Sequence, residues 1–251
     1  MSSFDAKHYL LEVRLLRDKV PAFDQFPFSL PAVRKLDTLI LHPSVTFIVG
    51  ENGSGKSTLL EAIAVVLGFN SEGGSRNFNF ATRASHSDLH TFLRLSKGIR
   101  RPRDGFFLRA ESFFNVATEI EHLDDGPGGP PIIDSYGRRS LHEQSHGESF
   151  FALLMNRFGG NGLYILDEPE AALSPSRQMA MISRMRDLIQ DRSQLIIATH
   201  SPIIMAYPDA QIFMLSPDGI KKVGYTETDH FRVTREFLNN HEKMLKILME
   251  E

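Results

Sequence analysis

The sequence predicts an α/β fold with a mainly parallel central sheet and a helical insertion. Three observations carry that reading. Short apolar runs at 45–49 (VTFIV), 163–166 (LYIL) and 195–198 (LIIA) have the length and β-branched content of strands buried on both faces. Helical apolar spacing lies between them, at 57–67 and again over Met179, Ile182, Met185, Leu188 and Ile189. Strands that alternate with helices are the pattern of a parallel sheet covered by helices.

Taken in order, residues 8–17 alternate loosely and read as an edge strand, and Pro21, Pro27 and Pro31 punctuate an irregular stretch. The strand 45–49 is followed by a glycine-rich turn and the helix 57–67. The polar stretch 70–96 has no clear period. A short strand is expected at 106–108 and a helix at 112–123, while 124–131 (DDGPGGPP) has loop composition. A helix is expected at 147–157 with Phe150, Phe151, Leu153 and Leu154 on its apolar face. Ser174 reads as an N-cap with Pro175 at the first helical position. Residues 212–215 and 220–223 suggest a hairpin around Pro217, Asp218 and Gly219, and the last twenty or so residues read as one helix. The expected organisation is a single domain over 1–251, with a core of 1–69 and 161–251 and a helical lobe at about 70–160.

Composition narrows the function. With 41% hydrophobic and 24% charged residues, the chain can build a core and is not disordered as a whole. It has no cysteine, which excludes disulfides, thiolate metal sites and a cysteine nucleophile. Its longest apolar stretch, 62–69, is far short of a membrane span, and no signal-peptide pattern opens the chain, so a soluble cytoplasmic protein is expected. A net charge of −3 gives no global attraction to nucleic acid or anionic lipid.

The most specific motif runs Gly50-Glu51-Asn52-Gly53-Ser54-Gly55-Lys56-Ser57-Thr58, a full G-x-x-x-x-G-K-[ST] match placed after a strand and before a helix. Glycines let the backbone approach phosphate without Cβ clashes, and successive N–H groups at a helix N-terminus surround the anion. Lys56 reaches the β- and γ-phosphates and the Ser57 hydroxyl ligates Mg²⁺ in such a loop. This makes the fold a P-loop NTPase, with ATP and Mg²⁺ as expected ligands. The strand 163–166 ends in Asp167 and Glu168. Alone, that pair could be a solvated acidic turn. With a P-loop about 110 residues earlier, Asp167 becomes a Mg²⁺ ligand and Glu168 the group that orients or deprotonates the attacking water. His200 ends the third core strand, the end at which ligands meet parallel sheets, and is placed to hydrogen-bond the γ-phosphate.

The order of a P-loop, then Ser145-His146-Gly147-Glu148, then Asp167-Glu168-Pro169, then a strand ending in Thr199-His200 resembles the ABC-type ATPases. Within them the chain is similar to the soluble branch of SMC, RecF and OLD-type heads, and to small stand-alone bacterial ATPases. The resemblance implies an ABC-type head. It also implies that Ser145, Gly147 and Glu148 contact the γ-phosphate of ATP held by a second subunit, so that a homodimer closes on two ATP–Mg²⁺. His146 and Glu148 depart from the family's usual glycine and glutamine at their positions. Pro169 to Ser174 resembles the D-loop at the family's dimer interface. No Q-loop glutamine is evident, and Glu111 is its positional substitute and a candidate Mg²⁺ ligand. Phe26 and Phe28 are candidates for stacking on adenine and equally good core residues.

Two weaker patterns remain. Arg94, Lys97, Arg100, Arg101, Arg103 and Arg109 form a basic cluster that could touch DNA or an acidic partner, or be a solvated face. His86 and His90 lack a third ligand and make a poor metal site. The expected function is therefore an ATPase that works in DNA maintenance or in a defence or toxin-linked system with a separate effector. The alternatives are an ATP-gated binding module with negligible turnover and the ATPase subunit of a transporter.

Overall fold

The computed structural model describes residues 9–76, 87–124, 132–136 and 146–250. Two sheets organise it. The first is antiparallel and has three strands in the order β2-β1-β4, formed by β1 (Leu10–Leu15), β2 (Thr38–Ile40) and β4 (Leu93–Lys97). The second has six strands in the order β5-β6-β7-β3-β8-β9. These are β3 (Val45–Gly50), β5 (Asp104–Arg109), β6 (Gly162–Asp167), β7 (Gln194–Ala198), β8 (Gln211–Ser216) and β9 (Gly219–Val223). All its neighbours run parallel except β9, which returns antiparallel on β8 as the expected hairpin.

Every residue of β3, β6 and β7 is buried, as continuous apolar runs require. Their alternating side chains feed two cores. On one face Ile48, Phe107, Ile165 and Ile196 pack with the helix α2 (Lys56–Val66) and the three-stranded sheet. On the other, Phe47, Phe106, Leu108, Leu166 and Ile197 pack with α3 (Phe113–Asp124), α4 (His146–Ala152) and α5 (Pro175–Gln190). A short helix, α1 (Pro31–Arg34), precedes the P-loop strand, and α6 (Asp229–Asn239) and α7 (His241–Met249) end the described chain.

The structure corrects several sequence expectations. The segment 10–15 is the middle strand of its sheet and not an edge, because β2 and β4 pair with it on either side. The region 70–160 is not a purely helical lobe: β4 completes the antiparallel sheet and β5 lies in the parallel one. The helix expected at 147–157 ends as a π turn over Leu153–Arg157. On α5 the buried face is Met181, Met185 and Leu188, and Met179 is exposed. The terminal helix is two helices that meet at Asn240. Ser174 does cap α5, its Oγ accepting from the Arg177 N–H at 3.4 Å. Residues 125–131 of the expected loop, and His86, lie outside the described residues.

Glutamine side chains bond across the two sheets: Gln211, at the start of β8, donates from Nε2 to the Ile40 carbonyl of β2 at 2.7 Å, and Gln194 makes the larger set. Gln194 opens β7, is fully buried, and uses its whole amide. Its Oε1 accepts from the Tyr9 and Leu10 N–H groups at 3.0 and 2.9 Å, and its Nε2 donates to the Leu10 and His42 carbonyls at 2.8 and 2.9 Å. Replacing it strands four backbone groups, three of them in fully buried bonds, each worth about 1–3 kcal/mol when unpaired. Gln194→Leu is therefore expected to lower stability by about 3 kcal/mol or more, read as a fall in the urea midpoint; an unchanged midpoint would show that the Gln194 bonds add nothing to the joining of the sheets.

Candidate functional site

The site forms where β3, β6 and β7 end together. Register places Ile48 beside Ala198, Ala198 beside Asp167, and Asp167 beside Arg109, one line across four strands. The chain then turns at each strand end, which collects the loops after β3, β6 and β7 in one place.

The loop after β3 is shaped for an anion. Gly50, Gly53 and Gly55 have φ of 154°, 77° and 95°. A Cβ at Gly50 would lie 2.7 Å from the Leu215 carbonyl oxygen, and at Gly55 3.1 Å from Ala32 and Leu30 side-chain atoms. Gly55 caps α2 in the left-handed region, so the first N–H groups of that helix face the loop. Lys56 is buried and its ammonium donates to the Gly50 and Glu51 carbonyls at 3.0 and 3.1 Å. Burial holds its pKa below the usual lysine range, and Glu168, Asp167 and Glu170 partly oppose that. Ser54 Oγ is buried and has no hydrogen-bond partner among the described residues. Such an orphan fits a cradle that a phosphate completes. Glu51, Asn52 and Gly53 are exposed and Thr58 is half-buried.

Asp167 stands opposite. Its Oδ1 accepts from the Ser57 hydroxyl at 3.1 Å, and its Oδ2 lies 3.8 Å from Arg109 Nε. Burial pushes its pKa up to about 7, although Arg109 and the Ser57 hydroxyl pull the other way. A buried carboxylate this short of positive charge, beside a hydroxyl, is a donor set suited to a hard divalent cation such as Mg²⁺. Glu168 follows with φ 51° and ψ 53°, a left-handed conformation that costs a non-glycine residue about 1–2 kcal/mol. Its carboxylate is partly exposed, with Oε1 3.5 Å from His200 Nε2.

Glu170, in the turn Pro169–Ala172, clamps the end of β7: it accepts from the Thr199 hydroxyl at 2.7 Å and from the His200 N–H. Burial raises its pKa, and those two bonds oppose the rise. The His200 ring in turn has its Nδ1 2.9 Å from His230 Nε2, on α6. Burial, then Lys56, then His230 lower the His200 pKa against an opposing pull from Glu168, and the lowering favours the neutral ring.

The structure thus brings Lys56, Ser57, Asp167, Glu168 and His200 into one cluster. Glu111 reaches it only at second hand: its carboxylate is largely exposed and pairs with Arg109 Nη2. Arg109 itself is not part of a surface cluster. It is half-buried among Glu61 Oε2 at 2.7 Å, the Ser71 carbonyl at 3.1 Å and Asp167, whereas Arg94, Lys97, Arg100, Arg101 and Arg103 are exposed. Gly147 and Glu148 open α4 against the turn Pro169–Ala172 and α5. A Cβ at Gly147 would lie 2.5 Å from the Ala172 carbonyl oxygen, and Glu148 is 4.0 Å from Arg177 Nη2. Ser145 lies outside the described residues. Phe28 is a core residue packed edge-on against Phe92, and Phe26 is exposed.

The sequence placed Arg109 in a basic cluster and Glu170 in the D-loop stretch without their contacts at this site, and did not single out His230. Glu170 had a signal, a third acid within four residues of a strand end. Glu61 had another, a buried charge on the apolar face of α2 that needs a partner such as Arg109. Nothing local marks His230.

Comparison with known proteins agrees with this geometry. Residues 26–121 match the family model described as an AAA domain, and residues 148–205 match that of an AAA ATPase domain. A provisionally named ABC transporter ATP-binding protein of Caldanaerobacter subterraneus subsp. tengcongensis is 27% identical, over 91% of this chain and 92% of its own length. An energy-coupling factor transporter ATP-binding protein of Oenococcus oeni is 26% identical, over 80% of this chain and 74% of its own. Among solved structures, cbiO1 of Clostridium perfringens, part of an ABC transporter complex, superposes with a TM-score of 0.52 at 17% identity, covering 96% of this chain and all of that one. With this fold, a P-loop facing the acidic end of β6 and these relatives, the chain is a P-loop ATPase with the ABC-type fold.

Proposed function

We propose that this ATPase is the nucleotide-hydrolysing subunit of a transport machine, and that two copies close around two ATP–Mg²⁺. The observation that carries the catalytic part is the convergence of Lys56, Ser57, Asp167, Glu168 and His200 at the ends of three parallel strands. The names of the relatives support transport over the DNA-maintenance or defence role that the resemblance to SMC, RecF and OLD-type heads brings first. Among the described residues no helix is long and apolar enough to cross a membrane; in this reading a separate chain does so. DNA as a partner keeps one supporting observation, the exposed strip Arg94, Lys97, Arg100, Arg101 and Arg103 on and after β4.

In the mechanism we infer, the glycine loop and the N-terminus of α2 hold the phosphates, and Lys56 exchanges its two carbonyl partners for β- and γ-phosphoryl oxygens. Ser57 and Asp167 would hold Mg²⁺, which when bound neutralises charge on those oxygens. Glu168 orients a water and takes its proton as the water oxygen attacks the γ-phosphorus and the bond to the β–γ bridging oxygen breaks. His200 donates to a γ-phosphoryl oxygen. Ser145, Gly147 and Glu148 serve the partner's nucleotide, and Glu111 answers to the metal site through Arg109.

Glu168→Gln is expected to bind ATP and lose about 100-fold or more in turnover. With ATP–Mg²⁺ it should elute as a dimer, measured by light scattering after size exclusion. A monomer with nucleotide bound would sink the two-copy reading, and normal turnover the role of Glu168. Lys56→Ala should lose nucleotide binding in calorimetry.

Asp167 gives a pH test. Folded, it keeps its proton up to about 7; unfolded, it releases it near the ordinary aspartate value of 3.8. Between those values the native state binds more protons, so this group's contribution to stability falls as pH rises and levels off above 7. Without metal or nucleotide, Asp167→Asn should match wild type in thermal midpoint at acid pH and exceed it at pH 8. A gap independent of pH would show that Asp167 is ionised throughout.

A further inference from the structure

The ring of His200 is held from outside the cluster, and the way it is held decides which of its nitrogens carries the proton. Its Nδ1 lies 2.9 Å from His230 Nε2, with ring centroids 5.0 Å apart and planes at 60°. Its Nε2 is buried, has no hydrogen-bond partner among the described residues, and faces Glu168 Oε1 at 3.5 Å. Both imidazoles have lowered pKa values, from burial first, then from Lys56. The charged and titratable groups around the pair are Lys56 of α2, Glu168 after β6, Asp229 of α6 and Glu51 of the P-loop.

Two neutral rings at this distance share one proton between the facing nitrogens. If His200 donated from Nδ1, its Nε2 would turn a lone pair towards the Glu168 carboxylate and towards any phosphoryl oxygen beside it. If His230 donates, the only proton of His200 sits on Nε2, where an anion can accept it. A histidine's tautomer is set by the bond its other nitrogen makes. The electrostatics choose the second arrangement.

The first turn of α6 is built to keep His230 there. Thr228, fully buried, caps the helix by accepting from the Phe231 N–H at 3.3 Å and donates to the Tyr225 carbonyl at 2.8 Å. The Tyr225 hydroxyl donates to the Pro202 carbonyl at 2.8 Å, two residues after His200, and the Tyr225 ring packs on Phe231. The turn that carries His230 and the loop that carries His200 are therefore tied by the Tyr225–Pro202 bond as well as by the imidazole pair itself.

We propose that His230 is a positioning residue for ATP hydrolysis: its Nε2–H donates to His200 Nδ1 and fixes His200 as the Nε2–H tautomer that meets the γ-phosphate. This rests on the ATPase reading for its purpose but not for its geometry, so the test has two arms. The first is nitrogen NMR of the nucleotide-free chain labelled with ¹⁵N-histidine, the His200 signals being assigned by their loss in His200→Asn. Wild type should show His200 protonated at Nε2. His230→Phe keeps a ring without a donor and should give a mixture of tautomers; His230→Gln, which can donate from a similar reach, should restore Nε2–H.

The second arm is steady-state turnover. His230→Phe should lower kcat by about tenfold, with KM for ATP within about twofold, and His230→Gln should recover most of the loss. A wild-type His200 protonated at Nδ1 overturns the proposal, even if the variants do not fold. So does a His230→Phe variant with unchanged tautomer and kcat. A wild-type chain that turns over no ATP while His200 shows the Nε2–H signal overturns the hydrolytic role and leaves the pair as a structural device.

Discussion

Parallel register across β5, β6, β7 and β3 is the constraint on which the site depends. It puts Arg109, Asp167, Ala198 and Ile48 on one line, although they come from segments far apart in the chain. The side chains of a strand alternate between its faces, so a slip of one residue in β6 would turn Asp167 towards the opposite core. There it would be a buried, unpaired carboxylate. The apolar runs of β6 and β7 and the charges at their ends therefore specify the same pairing, the local and global agreement expected of a sequence with one fold.

The charges at this end of the sheet are compensated by neighbours from several elements. Asp167 has the Ser57 hydroxyl on one oxygen and Arg109 near the other, and Arg109 is shared with Glu61 and Glu111. Lys56 meets carbonyl oxygens of its own loop. The carbonyl partners of Lys56 are ones that phosphoryl oxygens of a bound nucleotide could replace. Burial without full pairing leaves Asp167 prone to hold a proton and Lys56 prone to lose one, so both gain when a ligand of the right charge arrives.

What was legible in the sequence follows from range. The P-loop, the acidic end of β6 and His200 are local patterns, and each appears where its flanking strand and helix place it. The three innermost strands of the parallel sheet were readable because burial on both faces leaves only apolar residues. β4 was not, since its burial alternates weakly and its partner β1 lies about 80 residues away. Arg109 read as surface charge because nothing near it in sequence shows that Glu61 and Asp167 converge on it. His230 was invisible for the same reason: its meaning lies in a ring thirty residues distant. Met179 and Met181 both fit an apolar helix, and only the packing of α5 decides between them.

The backbone at Glu168 has a consequence for how such a chain changes over generations. Its left-handed conformation suits glycine or asparagine better than glutamate. A single substitution to either relieves that strain and, in the mechanism proposed above, removes the carboxylate that would act on the water. Loss of turnover with nucleotide binding intact is thus downhill in stability, and return is uphill. Copies released from selection for hydrolysis would drift towards silent nucleotide-holding forms, and a glutamate that persists in this turn is a record of work still being done.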